Sequence, residues 1–136
     1  MSSTGATPPE AAQKALWAVL LVSQAIYVGL ILSGVAVMRE EPIDIPILPA
    51  ALAVLAGGTA LGAQLLWRRG TGAGRPLHSD GPDPATVFNH CLIAWVMDES
   101  IAVHGLLLGM LGFPLATWAL FSAAAAVLML LHRPQG

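Results

Sequence analysis

The sequence predicts an all-α fold, an integral membrane bundle of four transmembrane helices arranged as two helical hairpins. Three observations predict it. Of 136 residues, 56% are hydrophobic and only 10% are charged, where an ordinary soluble domain carries about 25% charged residues. Four apolar stretches, residues 15–38, 45–67, 85–111 and 115–131, approach or exceed the roughly 20 helical residues needed to cross a hydrocarbon core of about 30 Å. Segments rich in Pro, Gly or charge separate them. A backbone in lipid has no water to bond, so each stretch must satisfy itself as a helix.

The same composition excludes several classes of function. Six Lys plus Arg against eight Asp plus Glu leave no basic surface for nucleic acid. The single cysteine, Cys91, excludes an internal disulfide framework and a cysteine-based zinc site. No Ser/His/Asp or Cys/His arrangement and no phosphate-binding glycine loop is legible. The sequence therefore predicts no catalytic residue, no cofactor and no enzyme.

Each element has its own local signals. Residues 1–14 read as a disordered N-terminus, with Thr7-Pro8-Pro9-Glu10 forming a capping box before the first span. The first span is too long for a signal-peptide core. Pro46 and Pro49 belong in the first turns of the second span, where a missing N–H costs nothing. Residues 68–84 form a polar loop rich in Gly and Pro. Asp83-Pro84 is an N-cap followed by proline, so the third helix starts there. Gly112-Phe113-Pro114 is too short to do anything but join antiparallel neighbours, the third and fourth spans. Residues 132–136 read as a tail.

Basic residues set the expected orientation. Lys14, Arg68, Arg69, Arg75 and Arg133 fall on one side of a four-span topology, and Arg39 alone falls on the other. The positive-inside rule then places both termini and the 68–84 loop in the cytoplasm, with the chain in the cytoplasmic (inner) membrane. Trp17, Trp67 and Trp118 fall near span ends, whereas Trp95 lies deep in the third span. Two GxxxG pairs, Gly58/Gly62 and Gly105/Gly109, suit close helix packing.

The third span carries the chemistry. Asp98 and Glu99 are acidic residues inside a span, near its middle. A charge there costs about 3 kcal/mol on insertion scales, so such an acid must hold its proton, find a partner or face water. About 100° of helix rotation separates the two. Asp98 shares a face with Cys91, Ala94, Ala102, Gly105 and Gly109, all small, so this face should press on another helix. Glu99 shares a face with Leu92, Trp95, Leu106 and Met110, so this face should meet lipid or a removable partner. Glu99 is then the better candidate for reversible protonation, and Asp98 for a structural or coupling role.

His90 and His104 lie on the same span, about 21 Å apart along the helix axis. Neither acid shares their stripe, and the other spans offer no His, Asp or Glu. No metal site is expected. The two histidines are instead read as part of a proton path, or as hydrogen-bonded residues between helices.

Residues 99–106, Glu-Ser-Ile-Ala-Val-His-Gly-Leu, resemble the carboxylate helix of the rotary ATPase proteolipids, the c or K subunits, which often reads Glu-Ser-x-Ala-Ile-Tyr-Gly-Leu. The resemblance is that of a divergent relative. It implies that Glu99 is the ion-carrying glutamate, that Ser100 supplies the neighbouring hydroxyl, and that His104 takes the usual aromatic position. The implied function is binding or translocation of a proton, or less readily sodium, within a homo-oligomer or larger membrane complex. The alternative reading is a structural or accessory subunit whose acids only hydrogen-bond between helices.

Overall fold

The computed structural model describes residues 10–36, 41, 43–72 and 83–134. The capping box at residues 7–10, most of the 68–84 loop and Arg39 lie outside these residues, wholly or in part. The described residues form four helices and no strand: α1 (Glu10–Leu32), α2 (Leu48–Gly70), α3 (Pro84–Met110) and α4 (Leu115–Leu131). The all-α bundle predicted from sequence is the observed fold. Three of the helices are long and apolar enough to cross a membrane, and α4 is a shorter apolar helix of 17 residues.

Helix ends follow local chemistry. The first helix stops at Leu32, short of residue 38, because Ser33-Gly34 leaves the helical path and Gly34 adopts a left-handed φ of 74°. The second helix carries proline in its first turn, as expected, and runs on through Arg68 and Arg69 to Gly70. The carboxylate of Asp83 caps α3 by accepting a hydrogen bond from the Thr86 backbone N–H at 3.2 Å. Gly112, at φ 80°, makes the tight reversal into α4.

Helix α3 is the centre of the bundle, packed most extensively against α2 and α4 and also against α1. Its small face is pressed against its neighbours, as the sequence predicts. A Cβ added to Gly105 would sit 2.9 Å from the backbone oxygen of Trp118 on α4. One added to Gly109 would meet the side chain of Ile31 on α1 at 2.5 Å. The second glycine pair divides. Gly62 lies against Met97, whereas a Cβ at Gly58 meets nothing within 4 Å among the described residues. The apolar core falls into two clusters along α3. One holds Ala63, Trp67, Cys91, Ala94, Trp95 and Met129. The other holds Ile101, Ala102, Leu108, Trp118, Phe121 and Ala125 with Ile31 and Ala56. Asp98 and Glu99 fall between them.

Candidate functional site

The site begins with the way α4 ends. The last carbonyls of a helix have no partner within it. Here two indoles supply donors: Trp17 Nε1–H donates to the Met129 carbonyl at 2.9 Å, and Trp95 Nε1–H donates to the His132 carbonyl at 2.6 Å. The residue just past the helix, His132, still donates its backbone N–H to the Leu128 carbonyl at 2.8 Å. Side chains on a helix lean toward its N-terminus, so the His132 imidazole points back into the bundle. It is 1% exposed.

That placement overturns one reading of the sequence. Residue 132, read as the start of a tail, is buried just past the end of α4 and brings an imidazole to Asp98. His132 Nδ1 lies 2.7 Å from Asp98 Oδ2, and Nε2 lies 2.9 Å from Gln64 Oε1. The Trp67 ring packs over the imidazole at a centroid distance of 5.1 Å and a tilt of 33°. Asp98 itself is 0% exposed. Helices α2, α3 and α4 are thus tied through a single imidazole.

Donor and acceptor bookkeeping defines what this triad can hold. An amide oxygen and a carboxylate both accept, and a neutral imidazole carries one N–H while an imidazolium carries two. With Gln64 presenting its oxygen, Nε2 is the donor on that side. The proton between Nδ1 and Oδ2 can then sit on either atom. The pair is imidazolium–carboxylate in one form and imidazole–carboxylic acid in the other, and both are neutral overall. Loss of that proton would leave one uncompensated negative charge on a buried pair, which is costly.

Glu99 faces the other way. It is 9% exposed, and the Ser23 hydroxyl on α1 lies against its Oε1, with Tyr27 beside the same carboxyl. Its face therefore meets α1 of the same chain, where the sequence reading expects lipid or a removable partner. The physical reason is that Ser23 and Tyr27 on α1 give the carboxyl partners that lipid cannot. Ser23 Oγ also lies 2.6 Å from the Leu20 carbonyl. One hydroxyl has one hydrogen. The Ser23 hydroxyl therefore donates to one of the two at a time, the Leu20 carbonyl or Glu99 Oε1, and Glu99 Oε2 has no hydrogen-bond partner among the described residues.

The remaining predicted residues are not drawn into either cluster. Ser100 Oγ–H bonds back to the Met97 carbonyl of its own helix at 2.7 Å. His104 sets its ring edge-on to Phe121 at 6.5 Å, and its Nδ1 has no hydrogen-bond partner among the described residues. His90 lies in the second turn of α3, half-buried near Gly70. Among the described residues no hydrogen bond or ion pair joins either histidine to Asp98 or Glu99. Nor do three or more His, Cys, Asp or Glu residues gather where a metal ion could be held.

The sequence reading missed His132 as a site residue and treated Gln64 as packing. One signal was available. A span of 17 residues advances only about 26 Å, so its far end stays level with the interior of the longer α3. Compared with protein-family models, curated proteins and solved structures, the chain matches none.

Proposed function

We propose that this is a small proton-binding membrane protein whose centre is the Asp98–His132 pair, with Glu99 as a second protonated carboxyl on the α1 side. The observation that carries this reading is the 2.7 Å contact between two buried titratable side chains, backed by Gln64. Such a pair holds one proton between two facing atoms and can pass it across without moving heavy atoms. Asp98 and Glu99 are consecutive on α3, so the two clusters sit at one depth. The likeness of residues 99–106 to a proteolipid carboxylate helix supports Glu99 as the group that exchanges a proton with a partner. A role within a homo-oligomer or larger complex belongs to the same proposal. So does a cytoplasmic-membrane location with both ends of the chain inside. It is supported by Lys14, Arg68, Arg69 and Arg133, which occupy the end of the bundle where α1 begins and α2 and α4 finish.

Infrared spectroscopy of the reconstituted protein across a pH series tests the proposal. A carboxylic C=O band that grows on acidification, and that is lost in Asp98→Asn or Glu99→Gln, is the expected result. A spectrum with no pH-dependent carboxyl band rejects it.

A second reading has its own support. The imidazole joins three helices, so the triad can serve cohesion alone in a structural or accessory subunit. Asp98→Asn would then leave proton uptake and partner activity untouched, and Gly105→Leu would break assembly.

A further inference from the structure

A buried pair can exchange a proton only where water comes near it. A cavity of about 280 Å³ lies at the end of the bundle where α1 begins and α2 and α4 finish. Gln13 in the first turn of α1, Thr71 at the end of α2, Cys91 in the second turn of α3 and Pro134 just past α4 contribute to its wall. At about 30 Å³ for each water molecule, the space admits several. Thr71 is exposed. Trp67 and Trp95, each one turn further into the bundle, also line the cavity and are 8% and 1% exposed. These are the two indoles that hold His132. The Trp67 ring packs over the imidazole at 5.1 Å, and Trp95 donates to the His132 carbonyl. The two indole centroids stand 6.4 Å apart. Trp67 thus borders both the cavity and the imidazole that faces Asp98.

We infer that this cavity is the aqueous entry to the Asp98–His132 pair, that Trp67 is its gate, and that the pair exchanges its proton with one side of the membrane, the side on which α1 begins. The inference rests on the proton-binding reading and adds its route and its sidedness. The two directions out of the pair differ in what must move. Toward the other end stands the apolar cluster built from Ile101, Ala102, Leu108, Trp118, Phe121 and Ala125. A hydrated proton crosses such packing only if the packing opens, which means separating α3 from α4. Toward the cavity, one indole swinging about its side-chain torsions is enough, and side-chain rotation is far faster than helix separation. The shortness of α4 makes this possible. It ends inside the bundle, so His132 lies near the cavity rather than under a further turn of helix.

The test uses the full chain in proteoliposomes, with orientation read from protease access to an N-terminal tag. The native Cys91 thiol reports on the cavity it lines. A small charged methanethiosulfonate added on the side where α1 begins should modify it. Val103→Cys, on an exposed apolar flank of α3, should stay unmodified in a Cys91→Ala background. Infrared spectroscopy then follows deuterium exchange of the Asp98 carboxyl band at acidic pH. Trp67→Ala should speed that exchange about tenfold, because opening no longer waits on the ring. The Cys91 adduct fills the cavity with Trp67 intact and should slow exchange about tenfold until reductant removes it. This reversible block covers the case of a poorly folding Trp67 variant. The Glu99 band should keep its rate throughout. An inert Cys91, equal modification from both sides, or a pH-dependent Asp98 band whose exchange ignores both Trp67→Ala and the adduct would overturn the entry and leave proton binding standing. Equal acceleration of the Asp98 and Glu99 bands in Trp67→Ala, with no effect of the adduct, would overturn it as well. A spectrum with no pH-dependent Asp98 band would reject proton binding itself, and the entry would fall with it however readily Cys91 reacts.

Discussion

Asp98 and Glu99 are adjacent in sequence and are solved by opposite means. Asp98 turns toward α2 and α4 and meets a base, His132, that is itself held by Gln64 and covered by Trp67. Glu99 turns toward α1, where the Ser23 hydroxyl lies against its Oε1 and Tyr27 stands beside it, and among the described residues no base meets it. A base lets the first cluster carry separated charges and remain neutral overall. Without one, the second is neutral only as the acid. A carboxyl among apolar helices is therefore set beside a base or beside hydroxyls, and one turn of α3 uses both.

The comparison is broken most sharply at His132. His132→Leu leaves Asp98 buried with no base, and the expected loss is about 3–5 kcal/mol of stability. Chemical unfolding in detergent micelles measures it. The double variant Asp98→Leu/His132→Leu should recover most of that loss, because neither half is then left alone. Two single variants as stable as the parent would show that the pair carries no cohesion.

Gly105→Ala comes next. Its new Cβ would stand 2.9 Å from a backbone oxygen, so α3 and α4 must separate and the expected cost is about 1–3 kcal/mol. Gly58→Ala, with open space around it, should instead be neutral or gain up to about 1 kcal/mol from helix propensity. Paired thermal melts of the two variants check this contrast.

Trp95→Phe keeps most of the ring and removes the N–H that serves the His132 carbonyl. A loss of about 1 kcal/mol is expected, together with a change in the infrared signature of the Asp98 carboxyl as the imidazole shifts. The smallest effect belongs to Glu99→Gln. Its amide oxygen can still accept from the Ser23 hydroxyl, so stability should change by less than about 1 kcal/mol. The matching change at Asp98 should cost more.

The fold was legible because apolar span length and turn chemistry are local. The Asp83 cap and the Gly112 reversal are written in two or three residues each, and the bounds of α4 came out as read. The two acids were legible for a related reason: a carboxyl inside an apolar run is conspicuous. Their partners were not. Ser23 and Gln64 look like ordinary polar residues in membrane helices, and nothing local to α1 says that it covers Glu99. His132 was hidden because it follows the last apolar residue of α4 and reads as tail. Only the depth at which a short helix ends beside a longer one reveals that it is inside.

That depth has a consequence for which part of the chain is self-sufficient. Taken alone, α3 holds an acid inside an apolar helix with no base beside it, and such an acid must hold its proton. The three-residue reversal at Gly112-Phe113-Pro114 brings the imidazole in 34 residues after the carboxyl. The α3–α4 hairpin is therefore the shortest stretch of the chain in which Asp98 has its base, and parting its two arms would strand a polar side chain on each.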